Sequence, residues 1–204
     1  MYVFDIVVKY NYSFERGGYY ISLHIIYYYN VIYAWPNTIM AMSEGQRKGF
    51  LRALPFNLGV LLGILLTLTV ALLFSEPLKE SQMFILIMKI IGTVYLLYLA
   101  YHVVVSTPED AEDALDRPIL KGILIQTTNI KAMLYFLTGL TTFSLPAAWE
   151  HTYIRSILLI VIGIAGALAW SLLGQVMNTL YHRHYRIINV IIALLLLYSA
   201  VELW

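Results

Sequence analysis

Polar residues interrupt one of the most apolar stretches of the chain. Gln126, Asn129 and Lys131 lie inside the otherwise hydrophobic segment Ile119–Leu140. If a helix begins near Pro118, Lys131 lies about 20 Å along its axis at about 1.5 Å per residue. A lysine that deep in a lipid bilayer costs several kcal/mol and marks a functional site by default. A later helix start, which would place Lys131 near a membrane surface, is the alternative.

The sequence offers Lys131 no obvious counter-ion. The 12 Asp and Glu residues lie in predicted tails and loops or, for Glu202, at the end of the last apolar segment. Since none lies in the middle of a span, we expect Lys131 to pair with carbonyl or amide oxygens, with water or with the carboxylate of a bound substrate.

The dipeptide Pro36-Asn37 is a second polar feature. Proline has no N–H to donate, so within a helix it would free a carbonyl inside the membrane. Asn37 offers both a donor and an acceptor to that backbone or to a ligand. The alternative is that the dipeptide ends a helix before the basic segment that follows. Together these features predict one substrate-binding set: Pro36, Asn37, Gln126, Asn129 and Lys131.

Other kinds of site find no support in the residues. The chain has no Cys, and no Ser/His/Asp set, phosphate-binding loop or dinucleotide motif is present. His182 and His184 are two positions apart, and on a helix such residues do not converge on a metal ion. A net charge of +1 gives no sign of a nucleic-acid partner. We therefore expect no catalytic residue, metal ion or cofactor, and no enzyme activity.

The composition indicates a membrane protein. Hydrophobic residues make up 60% of the chain and charged residues 12%, against about 45–50% and about 25% in soluble domains. Five apolar segments are each near the ~20 residues that a membrane-spanning helix needs. They are Leu54–Phe74, Met83–Val105, Ile119–Leu140, Ile154–Leu173 and Ile187–Leu203. A sixth, Tyr19–Met42, is rich in Tyr and is either a first span or an interfacial or disordered segment. The predicted fold is all-α, with six transmembrane helices.

The polar connections predict the orientation. They are Ser43–Gly49, Ser75–Ser81 with Pro77 as breaker, Thr107–Pro118, Ser144–Tyr153 and Thr179–Arg186. Lys and Arg residues concentrate in the first, third and fifth of these connections, which the positive-inside rule places in the cytoplasm. With six spans, both termini are then periplasmic.

A faint internal repeat relates the two halves of the chain. Met88–Tyr95 resembles Tyr185–Ile192, and Asn37 and Asn129 occupy comparable positions. Two three-span halves have opposite topology because three is odd. The pattern predicts two inverted three-helix repeats, which secondary transporters often use, with the substrate site where the halves meet.

An ordered series of short motifs resembles the LysE/RhtB family of amino-acid exporters, and within it the cysteine/O-acetylserine exporter group. The series covers about residues 35–204 and consists of Pro36-Asn37, Ile39–Ser43, Gly49-Phe50, Ile91–Ala100, Ser106–Pro108, Gln126–Lys131, Leu140–Pro146 and Tyr185–Val201. Many members have Asn-Pro-Lys where this chain has Asn129-Ile-Lys131. The missing Pro is as expected of the cysteine-exporter group.

The resemblance implies a six-helix exporter of small neutral or polar amino acids in the bacterial inner membrane. Its partners would be a small amino-acid substrate, the proton as coupling ion, in antiport, and the lipid bilayer. A homo-oligomer is left open. We expect one transmembrane transporter domain over residues 1–204.

The N-terminal part of the chain departs from the family. Members usually have Pro-Gly-Pro-Asn where this chain has Ala34-Trp-Pro-Asn37, and a short apolar helix where Met1–Tyr33 is rich in Tyr. Residues 1–34 are thus atypical, as a shifted reading frame or a misassigned start would produce. Two alternatives to a transporter follow: a defective product with a frame-shifted N-terminus, and a non-transporting subunit that anchors a partner complex.

Overall fold

The part of the chain that the computed structural model describes, residues 35–108, 117–141 and 152–204, is almost entirely α-helical. Its helices are α1 (Pro36–Lys48), α2 (Phe50–Glu80), α3 (Gln82–Val105), α4 (Pro118–Thr127), α5 (Ile130–Thr141), α6 (Thr152–Val176) and α7 (Asn178–Val201). No strand occurs in these ranges. Helices α2, α3, α6 and α7 are long and apolar enough to cross a membrane. The predicted all-α class and four of the predicted spans are therefore confirmed.

Some predicted features lie outside the described residues. The weak first span, Tyr19–Met42, falls there up to residue 34, and only its last residues are seen, at the start of α1. The acidic part of the connection Thr107–Pro118 and most of the connection Ser144–Tyr153 also fall outside.

The fourth predicted span begins at Pro118, as expected, but it is not one continuous helix. It consists of α4 and α5, which meet at Thr128 and Asn129. Pro118 takes the first helical position of α4, where its missing N–H costs nothing. The break itself was not predicted, because hydropathy gives no sign of where an apolar helix is interrupted.

The connection Ser43–Gly49 was predicted as a loop, and this was wrong. Helix α1 runs through it to Lys48, and only Gly49 leaves the helix, with φ 78° in the left-handed region that glycine tolerates. Ser43, Glu44 and Gln46 are buried. Their polarity reflects contacts with neighbouring helices rather than contact with water.

Two further predicted turns are also helical. Helix α2 continues through Pro77 to Glu80, and its bend lies earlier, at Phe74. A proline just after a bend sits in the first turn of the next helical segment, where it is tolerated. The basic connection Thr179–Arg186 belongs to α7, which bends at His184.

The helices pack in pairs around a common core. Helix α2 contacts α4 and α6, α1 packs on α6, and α3 packs along α7. Gly59 of α2 and Gly122 of α4 let two backbones touch, since a Cβ at either would collide with a carbonyl oxygen of the other helix. Such small residues allow close helix approach in membranes. The outer faces of α3 and α7 expose large apolar side chains such as Ile87, Val94 and Leu194, as lipid contact requires.

Candidate functional site

The two polar features found in the sequence meet in the structure. The side chain of Asn37, in the first turn of α1, donates from Nδ2 to Gln126 Oε1 on α4 at 2.8 Å. Both side chains are buried. This bond joins residues 89 positions apart in the chain, so the pairing is a product of the fold rather than of local sequence. We call Asn37, Gln126 and Asn129 the amide cluster.

Pro36 does not interrupt a helix in the described part of the chain. It occupies the first position of α1, after Trp35 in an extended conformation. The carbonyl that it was expected to free would belong to Ile32, which lies outside the described residues. Pro36 thus lies at the start of α1, a position that proline favours, directly before Asn37.

Side-chain hydroxyl groups help to end α4. The hydroxyl of Thr127 donates to the Ile123 carbonyl at 2.8 Å, and that of Thr128 donates to the Leu124 carbonyl at 2.7 Å. Such bonds back to the preceding turn often bend helices. Asn129 then starts α5, because its Oδ1 accepts from the Ala132 N–H at 3.3 Å as an N-terminal cap does.

The break lies deep in the molecule. A Cβ added to Gly92, near the middle of α3, would lie 2.8 Å from the Thr128 carbonyl oxygen and 3.4 Å from Leu203 Cδ1. Gly92 thus allows α3, the break and the end of α7 to come together at one level. There the carbonyl end of α4 carries partial negative charge, and the amide end of α5 carries partial positive charge.

Two polar atoms of the amide cluster are left over. Asn37 Oδ1 and Asn129 Nδ2 are buried without a hydrogen-bond partner among the described residues. A buried polar atom without a partner costs about 1–3 kcal/mol. One atom is an acceptor and the other a donor, so a small polar ligand with groups of both kinds could satisfy them.

Lys131 does have a counter-ion within the chain, and the expectation that it lacks one was wrong. Its Nζ forms an ion pair with Glu202 Oε2, and Tyr198 donates its hydroxyl to Glu202 Oε1 at 2.9 Å. The sequence placed Glu202 at a helix end, where no partner could be assigned to it. Folding brings the end of α7 against the first turn of α5, although the two residues are 71 positions apart.

The end of α7 is held on α3 by its last residues. Trp204 Nε1 donates to Thr93 Oγ1 at 3.0 Å, and Lys89 Nζ lies 5.6 Å from the centre of the Trp204 ring. Leu203 is buried. These contacts fix the position of Glu202 opposite Lys131.

A second polar network was missed by the sequence reasoning. Asn57 Nδ2 donates to Ser171 Oγ at 2.8 Å, and Ser171 Oγ donates to the Ala41 carbonyl at 3.0 Å. It ties α1, α2 and α6 together. No spacing in the sequence links Asn57 to Ser171.

Comparison with known proteins identifies the family. The family model described as LysE type translocator matches residues 34–204. The chain belongs to the LysE family. Its membership makes it a multi-pass membrane translocator rather than an enzyme, and it confirms the resemblance seen in the sequence motifs.

Three curated relatives of this LysE family member are named cysteine/O-acetylserine efflux protein. The protein of Klebsiella pneumoniae is 33% identical over 174 residues, which cover 82% of this chain and 88% of the relative. That of Salmonella typhimurium is 32% identical over 175 residues, with 83% and 89% covered. That of Escherichia coli is 30% identical over 174 residues, again with 83% and 89% covered. No solved structure matches the chain.

Proposed function

We propose that this LysE family member is a secondary transporter that exports small amino acids or their derivatives, of the cysteine and O-acetylserine kind, across the bacterial inner membrane. Proton antiport would drive the export. The relatives named for cysteine and O-acetylserine efflux support the substrate class, since they share about a third of their residues with most of this chain.

The observation that carries the proposal is the broken fourth span. Its two short helices expose their ends near the middle of the bundle, next to the unpaired atoms of Asn37 and Asn129. Broken helices of this kind form substrate sites in secondary transporters. A subunit that only anchors a partner complex would have no use for unpaired polar atoms at that depth, so the break favours transport over the anchor alternative.

The proposed site uses the residues predicted from the sequence. The ammonium group of Lys131 binds the substrate carboxylate, while Asn37, Gln126 and Asn129 orient its remaining polar groups. Pro36 sets the position of Asn37. The amide end of α5, where Lys131 sits in the first turn, adds partial positive charge that favours the same carboxylate.

We also propose the architecture that the family implies: a single transporter domain over residues 1–204 with six spans in two inverted repeats, both termini periplasmic. The packing supports the repeat. In such a repeat, span 1 corresponds to span 4 and span 2 to span 5. The contact between α2 of span 2 and α4 of span 4 then corresponds to the contact between α6 of span 5 and α1 of span 1. Both contacts are extensive. Helices α1 and α5 each begin beside an asparagine, Asn37 and Asn129.

The test is efflux of labelled cysteine, O-acetylserine and a panel of other amino acids from cells that overproduce the protein. We expect export of one or more small amino acids above the level of cells without it. Lys131→Ala should abolish that export, whereas Lys121→Ala, a matched lysine near the start of the same span, should not. Absence of all export would favour the two alternatives, a defective product or an anchor subunit. The first of these concerns the N-terminus, since the family match begins only at residue 34.

A further inference from the structure

The ion pair between Lys131 and Glu202 contains a carboxylate that the sequence did not assign to the site. Glu202 follows the last residue of α7 and is held by two donors, Lys131 and the Tyr198 hydroxyl. The two charged side chains come from different helices and are 22% and 25% exposed. These side chains are therefore not sealed inside the bundle.

We propose that Lys131 and Glu202 together form a two-point clamp for the α-amino-acid zwitterion. The Lys131 ammonium takes the substrate carboxylate, and the Glu202 carboxylate takes the substrate ammonium. The substrate inserts between the two side chains and replaces their direct contact with two new ion pairs. This assignment rests on the proposed export of amino acids and adds to it the residue that recognises the amino group.

Charge balance inside the membrane favours such a clamp. A lone lysine would bind the carboxylate of an amino acid and leave its ammonium without a partner, and an unpaired charge in a low-dielectric site is strongly unfavourable. With Glu202 opposite Lys131, every charge has a partner both before and after the substrate binds. The free protein thus holds the two groups together without a net buried charge.

The local polarity of the break agrees with the same arrangement. Leu203, the neighbour of Glu202, and Thr128, at the end of α4, both lie against Gly92. The ends of α4 and α5 therefore lie close to the clamp, with partial charges of opposite sign. The side chain of the substrate would extend toward the amide cluster, whose unpaired acceptor and donor suit a small polar group.

A clamp of this kind also gives Glu202 a place in the proton cycle. A protonated Glu202 has no charge to offer an ammonium group, so a proton and the substrate compete for the same carboxylate. An exporter that exchanges its substrate for protons needs this mutual exclusion. No additional proton-binding group has to be invoked.

Several ionisable groups surround Glu202. Contact is made by Lys131 from α5 and Tyr198 from α7, and α3 contributes Lys89 beside Trp204. The charged groups on the other helices packed against α7 are Glu44, Arg47 and Lys48 on α1 and Arg155 on α6, whose Nη1 donates to the Leu140 carbonyl. Glu202 is thus the carboxylate that faces Lys131, and protonating it is what weakens the clamp.

Two isomers test the clamp directly. O-acetylserine has a free amino group, whereas N-acetylserine contains the same atoms with the amino group blocked. The full chain, purified and reconstituted in vesicles, is assayed with both compounds at mildly acidic pH, where the acetyl group does not migrate. Unmutated protein should move O-acetylserine at least about tenfold better, as expected when one charge-assisted interaction is lost.

Glu202→Gln is the decisive variant, because glutamine keeps the shape and removes the charge, while its one amide oxygen can still accept from either Tyr198 or Lys131. We expect it to lose most O-acetylserine transport, its preference for the free amino group and its dependence on a proton gradient. Glu202→Asp, which retains the carboxylate, should recover part of that preference and so shows that charge rather than folding is the cause.

The outcomes separate the two proposals. If the unmutated protein moves no amino acid at all, the proposed function fails and the clamp falls with it. If the protein exports amino acids but Glu202→Gln keeps the unmutated preference for O-acetylserine over N-acetylserine, the clamp alone is wrong.

Discussion

Two ion pairs of this protein contain the same two residue types but differ in what holds them. Lys48 and Glu44 belong to one helix, four residues apart, with Nζ and Oε2 2.8 Å from each other and side chains only 7% and 1% exposed. Lys131 and Glu202 come from two helices and are 22% and 25% exposed. We call them the α1 pair and the clamp pair.

The difference lies in the freedom to exchange partners. In the α1 pair the spacing of the helix keeps the two groups side by side, and their burial leaves little room for a ligand. In the clamp pair the two groups come from different helices, so a shift of α5 relative to the end of α7 would separate the charges. Burial and helix register therefore distinguish a structural pair from one that can bind a substrate, although both have the same composition.

Removing the cation of the clamp pair should have the largest effect. We expect Lys131→Ala to reduce efflux to the level of cells that lack the protein, because the substrate carboxylate loses its partner. Removing the charge at that depth eases insertion by about 2.5–3.5 kcal/mol, but it leaves the Glu202 carboxylate without its cation, which lowers the stability of the folded protein. The Lys131→Arg variant should transport weakly at best, because the planar guanidinium group of arginine does not replace a compact ammonium group.

The measurement is efflux divided by the amount of protein in the membrane, for the unmutated chain and both variants. Export by Lys131→Ala at the unmutated rate would remove Lys131 from the site, and the distinction between the two pairs would lose its functional meaning.

Truncating the amide cluster should have a smaller effect. Asn129→Ala removes a donor from the site and a cap from α5, and we expect the KM for the exported amino acid to rise about tenfold, as for one lost hydrogen bond to a charged or polar group. Asn37→Ala should do the same through the lost bond to Gln126.

Asn57→Ala is the matched control: it breaks the bond to Ser171, so it should lower the amount of folded protein and leave KM unchanged. An unchanged KM in both cluster variants would mean that the clamp pair acts without the amides.

Much of the fold follows from the sequence, because hydrophobicity in a membrane is a local property. Helices α2, α3 and α6 contain the segments predicted as spans, and α7 contains the last one except for its final two residues, since each run of apolar residues must form its own backbone hydrogen bonds in lipid. Helix α4 begins at Pro118, next to Ile119, the first residue of the predicted fourth segment.

The site follows from the sequence only in part. Asn37 and Gln126 were predicted to belong together, and the structure joins them. The partner of Lys131 was not predicted, because a glutamate at a helix end gives no sign of the helix that it will contact. Glu44 was assigned to a loop for a related reason. A polar run has the same composition whether it faces water or neighbouring helices.

The two pairs should also lie at different depths in the membrane. The α1 pair is near Arg52, at the start of α2, whereas Trp204 anchors the clamp pair on Thr93, near the middle of α3. The chain has no Cys, so single cysteines report topology without background. On intact cells, an impermeant thiol reagent should label Gln82→Cys and spare Arg52→Cys and Arg183→Cys. The reverse pattern would invert the proposed orientation.

The smallest effect on transport is expected from neutralising the α1 pair. Lys48→Met alone leaves the Glu44 carboxylate buried without its cation, which costs about 3–5 kcal/mol. The melting temperature of the purified protein should therefore fall. The double variant Glu44→Gln with Lys48→Met removes both charges and should recover most of that loss, because replacing a whole buried pair is often nearly neutral. Per folded molecule, it should keep the unmutated preference for O-acetylserine over N-acetylserine, which Glu202→Gln is expected to lose. If the double variant loses this preference while remaining folded, Glu44 also recognises the amino group or controls access to it, and burial within one helix does not make an ion pair purely structural.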